Sequence, residues 1–263
     1  MIIDIKRGFS WVFVGCGGTF SYLAPILRSW FDSGHIEPST VTFVDPDYVN
    51  LEVPGRQWGY YNHEDISQPE DADGERDLEW FKTDLAHSVI TPNRAPRSSR
   101  VKFQEGGYWY ELKDHDQVVL VVSVDNDEAR LSCAEFCSEH PGLAVMVVNG
   151  CDRVRGQCYY GIWEGGKPIH DWRGLHRDVV GRGRSGQVPE KGCNEQTALA
   201  NLRTATVTAH CLDHLIVGLE SETMVKEFYW EGKHSEMWSG VVTRFTQRYL
   251  PETGEFEKGE TNE

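Results

Sequence analysis

The sequence predicts an α/β fold: a doubly wound, Rossmann-like and mostly parallel sheet that ends in a C-terminal β-hairpin or small antiparallel extension. Three observations carry this. Short β-branched runs of strand length stand at Trp11–Val14, Val41–Val44, Gln117–Val124 and Leu143–Val148, each too uniformly apolar for a strand with one wet face. Between them lie stretches with helical spacing of apolar residues. And the first run breaks directly into Gly15, Gly17 and Gly18 before a helical pattern begins, which is the strand–turn–helix start of a βαβ unit.

Taken in order, residues 1–10 are short, with Lys6 and Arg7 too close to Trp11 to build a helix of their own. After the glycine turn, Leu23, Ile26, Leu27, Trp30 and Phe31 give a helical stripe. Strand, glycine turn and helix N-terminus together form an anion site of unpaired N–H groups backed by the helix dipole. The second strand ends in Asp45, where an acid accepts hydrogen bonds from ribose hydroxyls. Asp47 follows, then Gly55-Arg56-Gln57, whose guanidinium offers a planar fork to a polyphosphate.

Residues 58–76 turn polar and acidic and read as a surface loop. Leu78, Phe81, Leu85 and Val89 then describe an amphipathic helix with Lys82 on its solvated face, the alternative being that the preceding insertion loops out and Lys82 serves as a phosphate-binding lysine. Pro92–Arg100 reads as a basic loop and 101–104 as an edge strand. The run 117–124 delivers Asp125 and Asn126 to the carboxyl end of the sheet, where either residue type caps the following helix. Residues 165–192 lack periodicity and are expected to be mobile. A long helix follows, with Asn194 as cap and Leu199, Leu202, Ala209, Leu212 and Ile216 as buried stripe; Asn201 sits on its first turns. Cys193 would then lie at the positive end of the helix dipole, which favours the thiolate. Beyond Gly218, two aromatic and β-branched segments predict the C-terminal strands, and residues 251–263 a frayed acidic tail.

Composition bounds the function. A chain of 263 residues, 39% hydrophobic, buries one large α/β core. The net charge of −15 argues against nucleic acid as a partner. No apolar run is long enough to cross a bilayer. Seven cysteines without a framework or signal peptide imply a reducing, cytoplasmic setting. Cys133, Cys137, Cys151 and Cys158 lack zinc-site spacing, and buried small hydrophobes is the better reading; no zinc site is expected.

GCGGTF, VDPDYVNLEVPGRQ and VVSVDNDEAR together resemble the ThiF/MoeB/HesA superfamily of adenylating proteins related to ubiquitin-activating enzymes. In wording they are nearest to the ThiF-like proteins of the PRTRC gene system. The resemblance implies an adenylation domain over 1–218, with a crossover loop at 165–192, a strand extension over 219–250 and a disordered tail after it. It implies ATP and Mg2+ as cofactors, a small ubiquitin-like or sulfur-carrier protein with a C-terminal Gly as partner, and a homodimer. Gly15, Gly17 and Gly18 would cradle phosphate, Asp45 would hold ribose, Asp47 would orient the loop, and Gln57 and Asn126 would complete the nucleotide site. Arg56 would neutralise charge on the phosphate, Asp125 would bind Mg2+, and Cys193 would capture the acyl group as a thioester. The sequence departs from the family pattern at Phe20, where a third glycine is usual, and in the absence of any lysine between Arg56 and Lys82. Phe20 either narrows the phosphate loop or joins the core. These departures, with the short segment before Trp11, favour the alternative of a nucleotide-binding scaffold without catalysis; an NAD-dependent oxidoreductase with a Rossmann domain is a separate second alternative.

Overall fold

The computed structural model describes residues 4–47, 81–91, 98–99, 112, 114–152, 155–174, 197–217, 224–233, 236–245, 249–250 and 255–256. Arg56, Gln57 and Cys193 lie outside these residues, as do the acidic stretch 58–76 and the segment 101–104.

The first strand, β1 (Ser10–Val14), is buried along its whole length. It pairs in parallel with β2 (Thr40–Val44) on one side and β4 (Gln117–Val122) on the other. The short β3 (Ser98–Ser99) extends the sheet beyond β2, and β5 (Leu143–Cys151) continues it beyond β4, both in parallel. The edge strand therefore includes residues 98–99, which the sequence reads as part of a basic loop. From β5 onward the pairing is antiparallel: β6 (Arg155–Glu164), β8 (Met224–Lys233) and β9 (Glu236–Phe245) follow in that spatial order, with β7 (Lys167–His170) alongside β6.

The C-terminal strands thus continue the main sheet. A one-turn 3-10 helix at Trp172–Gly174 follows β7, so residues 167–170 and 172–174 take regular secondary structure within a segment that reads as a loop in sequence. Near the C-terminus, β10 (Tyr249–Leu250) pairs antiparallel with β11 (Glu255–Phe256).

Alternation along β1 explains the two layers that cover the sheet. Trp11 and Phe13 face a core shared with α1 (Gly18–Asp32), α2 (Lys82–Ile90) and α4 (Ala198–Ile216). Val12 and Val14 face the opposite core, closed by α3 (Asp127–Glu139) and the indoles of Trp163 and Trp172. A strand covered on both sides has no polar face, which is why it reads as a continuous apolar run.

The long C-terminal helix differs from its expected pattern. Its N-cap is Thr197, whose hydroxyl accepts from the Ala200 amide at 3.1 Å, in place of Asn194. Leu199 and Leu202 are 52% and 43% exposed, while Ala200, Asn201, Thr204, Ala205 and Thr208 face inward. α4 packs against α1, where Asn201 accepts from Thr19, and Thr204 and Thr208 are fully buried. Ala209, Leu212 and Ile216 are buried as the spacing predicts; at the start of the helix, a stripe sought among large apolar residues misses the inward face.

Phe20 belongs to the core. Its ring is fully buried, with centroid distances of 5.0 Å to Phe13 and 6.3 Å to Phe43. Such aromatic pairs add about 0.5–1.5 kcal/mol beyond their buried area. Phe20→Ala is expected to lower the unfolding free energy by about 3–5 kcal/mol in urea denaturation. Unchanged stability would mean that the ring serves the glycine loop alone.

Candidate functional site

Parallel strands carry ligands at their carboxyl ends, at the point where the chain leaves β1 in both directions across the sheet. Here that point lies between β1 and β4, and four strand ends contribute to it: Gly15–Gly18 after β1, Asp45–Asp47 after β2, Ser123–Asn126 after β4 and the end of β5.

The glycine turn is built from close backbone contacts. Gly15 has φ +83° and donates to the Val44 carbonyl at 2.9 Å, while the Ser123 amide donates to Val14 at 2.8 Å. A Cβ on Gly15 would lie 2.6 Å from the Ser123 carbonyl oxygen, so a side chain is excluded both by conformation and by space. Gly17 is the N-cap of α1 and supplies no side-chain cap, and no acidic residue occupies the first turn of that helix. Its leading N–H groups therefore keep the character of an anion-binding site. In that first turn, Thr19 donates to Asn201 Oδ1 at 3.2 Å, which also accepts from the Cys151 thiol at 3.5 Å. Asn201 thus holds the start of α1 against α4 from a fully buried position.

Asp45 ties the loop to the second strand. Its Oδ2 accepts the Cys16 amide at 2.6 Å and its Oδ1 the Asp47 amide at 2.9 Å. The carboxylate is 5% exposed. Burial pushes its pKa above the ordinary value, against the lowering effect of Lys82 and of the two amides.

Lys82 is the largest correction to the sequence reading. Instead of facing solvent, its side chain is 13% exposed; Nζ donates to Asp47 Oδ2 at 2.8 Å and stands 4.0 Å from Asp45 Oδ1. The reason lies in its position. Lys82 is the first residue of α2, its own amide bonds to the Asp47 carbonyl at 3.1 Å, and helical side chains lean toward the N-terminus. The lysine therefore reaches past the helix end over the tip of β2. Burial lowers its pKa, but the two carboxylates outweigh that and leave it raised, so the ammonium is retained.

On the β4 side, Asn126 rather than Asp125 caps the helix, with Oδ1 accepting the Ala129 amide at 2.8 Å. Asp125 is exposed beside it, with Asn126 Nδ2 at 3.3 Å from its Oδ1. Behind them lie residues that sequence reasoning passes over. Arg130 bonds the Val124 carbonyl at 2.7 Å and Asp127 at 3.0 Å, and Asn149 donates to Ser123 Oγ at 2.8 Å. The available signal is slight: an Arg three residues after an Asp on a helix is an ordinary surface pair.

Burial raises the thiol pKa of Cys16, Cys133, Cys137, Cys151 and Cys211, so none of these five is an activated nucleophile. The structure brings together Gly15, Gly17, Gly18, Asp45 and Asp47 around one loop, and sets Asp125 and Asn126 on the neighbouring strand end across the switch point. Among the described residues, no helix is long and apolar enough to cross a membrane.

No family model matches the chain, and no curated protein matches it. Solved structures do. Escherichia coli MccB has the same fold, with a TM-score of 0.56 at 13% identity over 93% of this chain and 63% of that one. MccB with ATP gives 0.55 at 15% identity, covering 91% and 65%. MccB with AMPCPP and selenomethionine MccA gives 0.54 at 14% identity, covering 94% and 66%. The chain thus spans just under two thirds of the length of these neighbours.

The Lys82 pair has a definite pH signature. An amine whose folded pKa is raised contributes stability that is complete below its ordinary value of 10.5 and is lost as pH rises through the higher folded value. Removing it also drives Asp45 further toward protonation, so the loss grows as pH rises from acid toward neutrality. Lys82→Met is expected to cost little near the acid end, about 3 kcal/mol near neutral pH, and progressively less above 10.5. Urea denaturation across pH, with Asp45→Asn/Lys82→Met recovering much of the neutral-pH loss, checks this. A pH-independent difference would remove the ion pair from the account.

Proposed function

We propose that this protein is an adenylating enzyme that activates the carboxylate of a peptide or small protein with ATP. The observation that carries this reading is the convergence of the uncapped glycine loop, Asp45 and Lys82 at the switch point of the sheet. A preorganised ammonium beside a ring of backbone N–H groups suits a polyphosphate whose charge redistributes during reaction. The MccB neighbours, solved with ATP and with AMPCPP, support nucleotide binding in this fold.

In the proposed reaction a substrate carboxylate oxygen attacks the α-phosphorus, the bond to the bridging oxygen breaks, and pyrophosphate leaves with that bond's electron pair. The acyl-adenylate remains. The helix α1 N-terminus and glycine amides would hold phosphate, and Asp45 would set the loop from which ribose is bound. Asp47 would release Lys82 to the phosphates, and Arg56 would add a second cation. The chemistry of the donor set fits Mg2+ carried in with the nucleotide: one exposed carboxylate, Asp125, with Asn126 beside it, matches an ion that takes few protein ligands and several phosphate oxygens. That ion would supply charge neutralisation and a fixed phosphate geometry.

The finer expectations rest on sequence alone. These are a ubiquitin-like or sulfur-carrier protein ending in Gly, thioester capture at Cys193, a homodimer, and placement near the PRTRC-associated branch. Among the grounds for the scaffold alternative, the missing lysine and Phe20 are weakened by a site-facing Lys82 and a core-buried Phe20.

ATP–pyrophosphate exchange in the presence of small proteins and peptides ending in Gly tests the reading. Lys82→Ala is expected to reduce exchange about 10²-fold or more with stability at pH 7 accounted for separately. Tight ATP binding with no exchange for any carboxylate offered would favour the scaffold.

A further inference from the structure

We propose that Arg130 is a positioning residue that fixes the metal-facing end of β4, joining it to β5 behind Asp125. The inference rests on the reading of this site as an ATP·Mg2+ pocket. Arg130 lies on the first turns of α3, with its side chain 15% exposed. Nη2 donates to the Val124 carbonyl at 2.7 Å and reaches the Asn149 carbonyl at 3.5 Å, so a single guanidinium nitrogen spans the carboxyl tips of two adjacent strands. Nη1 donates to Asp127 Oδ1 at 3.0 Å, whose side chain is 3% exposed. The cation is thereby matched by a buried carboxylate, and its forks are turned to main-chain oxygens, so it serves the protein rather than a phosphate.

Val124 is the residue immediately before Asp125. Past the end of β4 the ladder to β5 has run out, and the position of residues 124–126 depends on what holds them from the side. Contacts that do so include the Arg130 bridge, the Asn149–Ser123 bond at 2.8 Å, the Ser123 amide bond to the Val14 carbonyl at 2.8 Å, and the Asn126 cap on α3. Charge-assisted bonds to the guanidinium are the strongest of these, and a planar fork reaches several acceptors that a lysine ammonium would meet as a point. Gly150 completes the fit. A Cβ there would lie 3.1 Å from Nη2, so the guanidinium occupies space left by a missing side chain. Arg130 thus sets where the Asp125 carboxylate stands relative to the glycine loop across the switch point.

The test measures ATP affinity by calorimetry in MnCl2 and in EDTA, with melting temperature recorded alongside, for wild type, Asp125→Asn, Arg130→Met, Arg130→Lys and Gly150→Ala. Wild type is expected to gain affinity with the metal, and Asp125→Asn to lose that gain. Arg130→Met should lose about 10- to 100-fold of the metal-dependent gain while keeping its affinity in EDTA. Arg130→Lys should recover little of the gain. Gly150→Ala, which leaves every site carboxylate and Arg130 itself in place, should lose part of it by displacing the guanidinium; these two variants decide the matter if Arg130→Met does not fold. An equal loss in MnCl2 and EDTA would make Arg130 merely structural and overturn the inference. So would a wild-type metal gain in the Arg130 and Gly150 variants while Asp125→Asn abolishes it. Failure of wild type to bind ATP at all would instead remove the functional reading, and this inference with it.

Discussion

The carboxylate of Asp45 is the constraint on which the site depends. It stands at the end of β2, nearly out of solvent, and takes one amide from the glycine loop and one from the chain beyond itself. A buried acid costs free energy unless its oxygens are satisfied, and here each oxygen accepts a backbone N–H. The consequence is mutual: the loop cannot shift without exposing the acid to an unpaired state, and the acid cannot turn toward a ligand without releasing the loop. Lys82 adds a cation from a third element, so β1, β2 and α2 meet at one charge cluster.

That cluster gives the adenylation reading its physical content. The same fold serves many chemistries, so topology alone says little about reaction type. What distinguishes this site is the combination of an uncapped helix start, a buried acid holding the preceding loop, and a retained ammonium already desolvated at the strand tip. A retained ammonium beside a helix N-terminus suits a polyphosphate, whose charge it neutralises. Across the switch point, a separate device of Arg130, Asn149 and Ser123 steadies the exposed Asp125. The two halves of the site are thus braced independently, one by an anion and one by a cation.

Much of the fold was legible because of continuous β-branched runs. A strand buried on both faces must be apolar throughout, and β1, β2, β4 and β5 announce themselves for that reason. β6 did not, although it is buried along most of its length, because glycines and a glutamine interrupt its aromatic residues. β7 was hidden by Pro and His in a segment of loop-like composition. On α4, Ala209, Leu212 and Ile216 are buried as expected, but the start of its inward face escaped notice because Ala, Asn and Thr stand there, leaving Leu199 and Leu202 outside.

By itself the sequence determined the doubly wound frame, the glycine turn and the acids at the strand ends, since these depend on local chain stiffness, on residues without a Cβ and on runs of apolar side chains. Only tertiary structure decided where long polar side chains point. Lys82 and Arg130 each look like surface residues on their own helices, because helical periodicity records the direction of a Cβ and not the reach of four or five further bonds. Their ends are set by carboxylates and carbonyls brought from elsewhere in the chain: Asp45 and Asp47 for one, Val124 and Asn149 for the other.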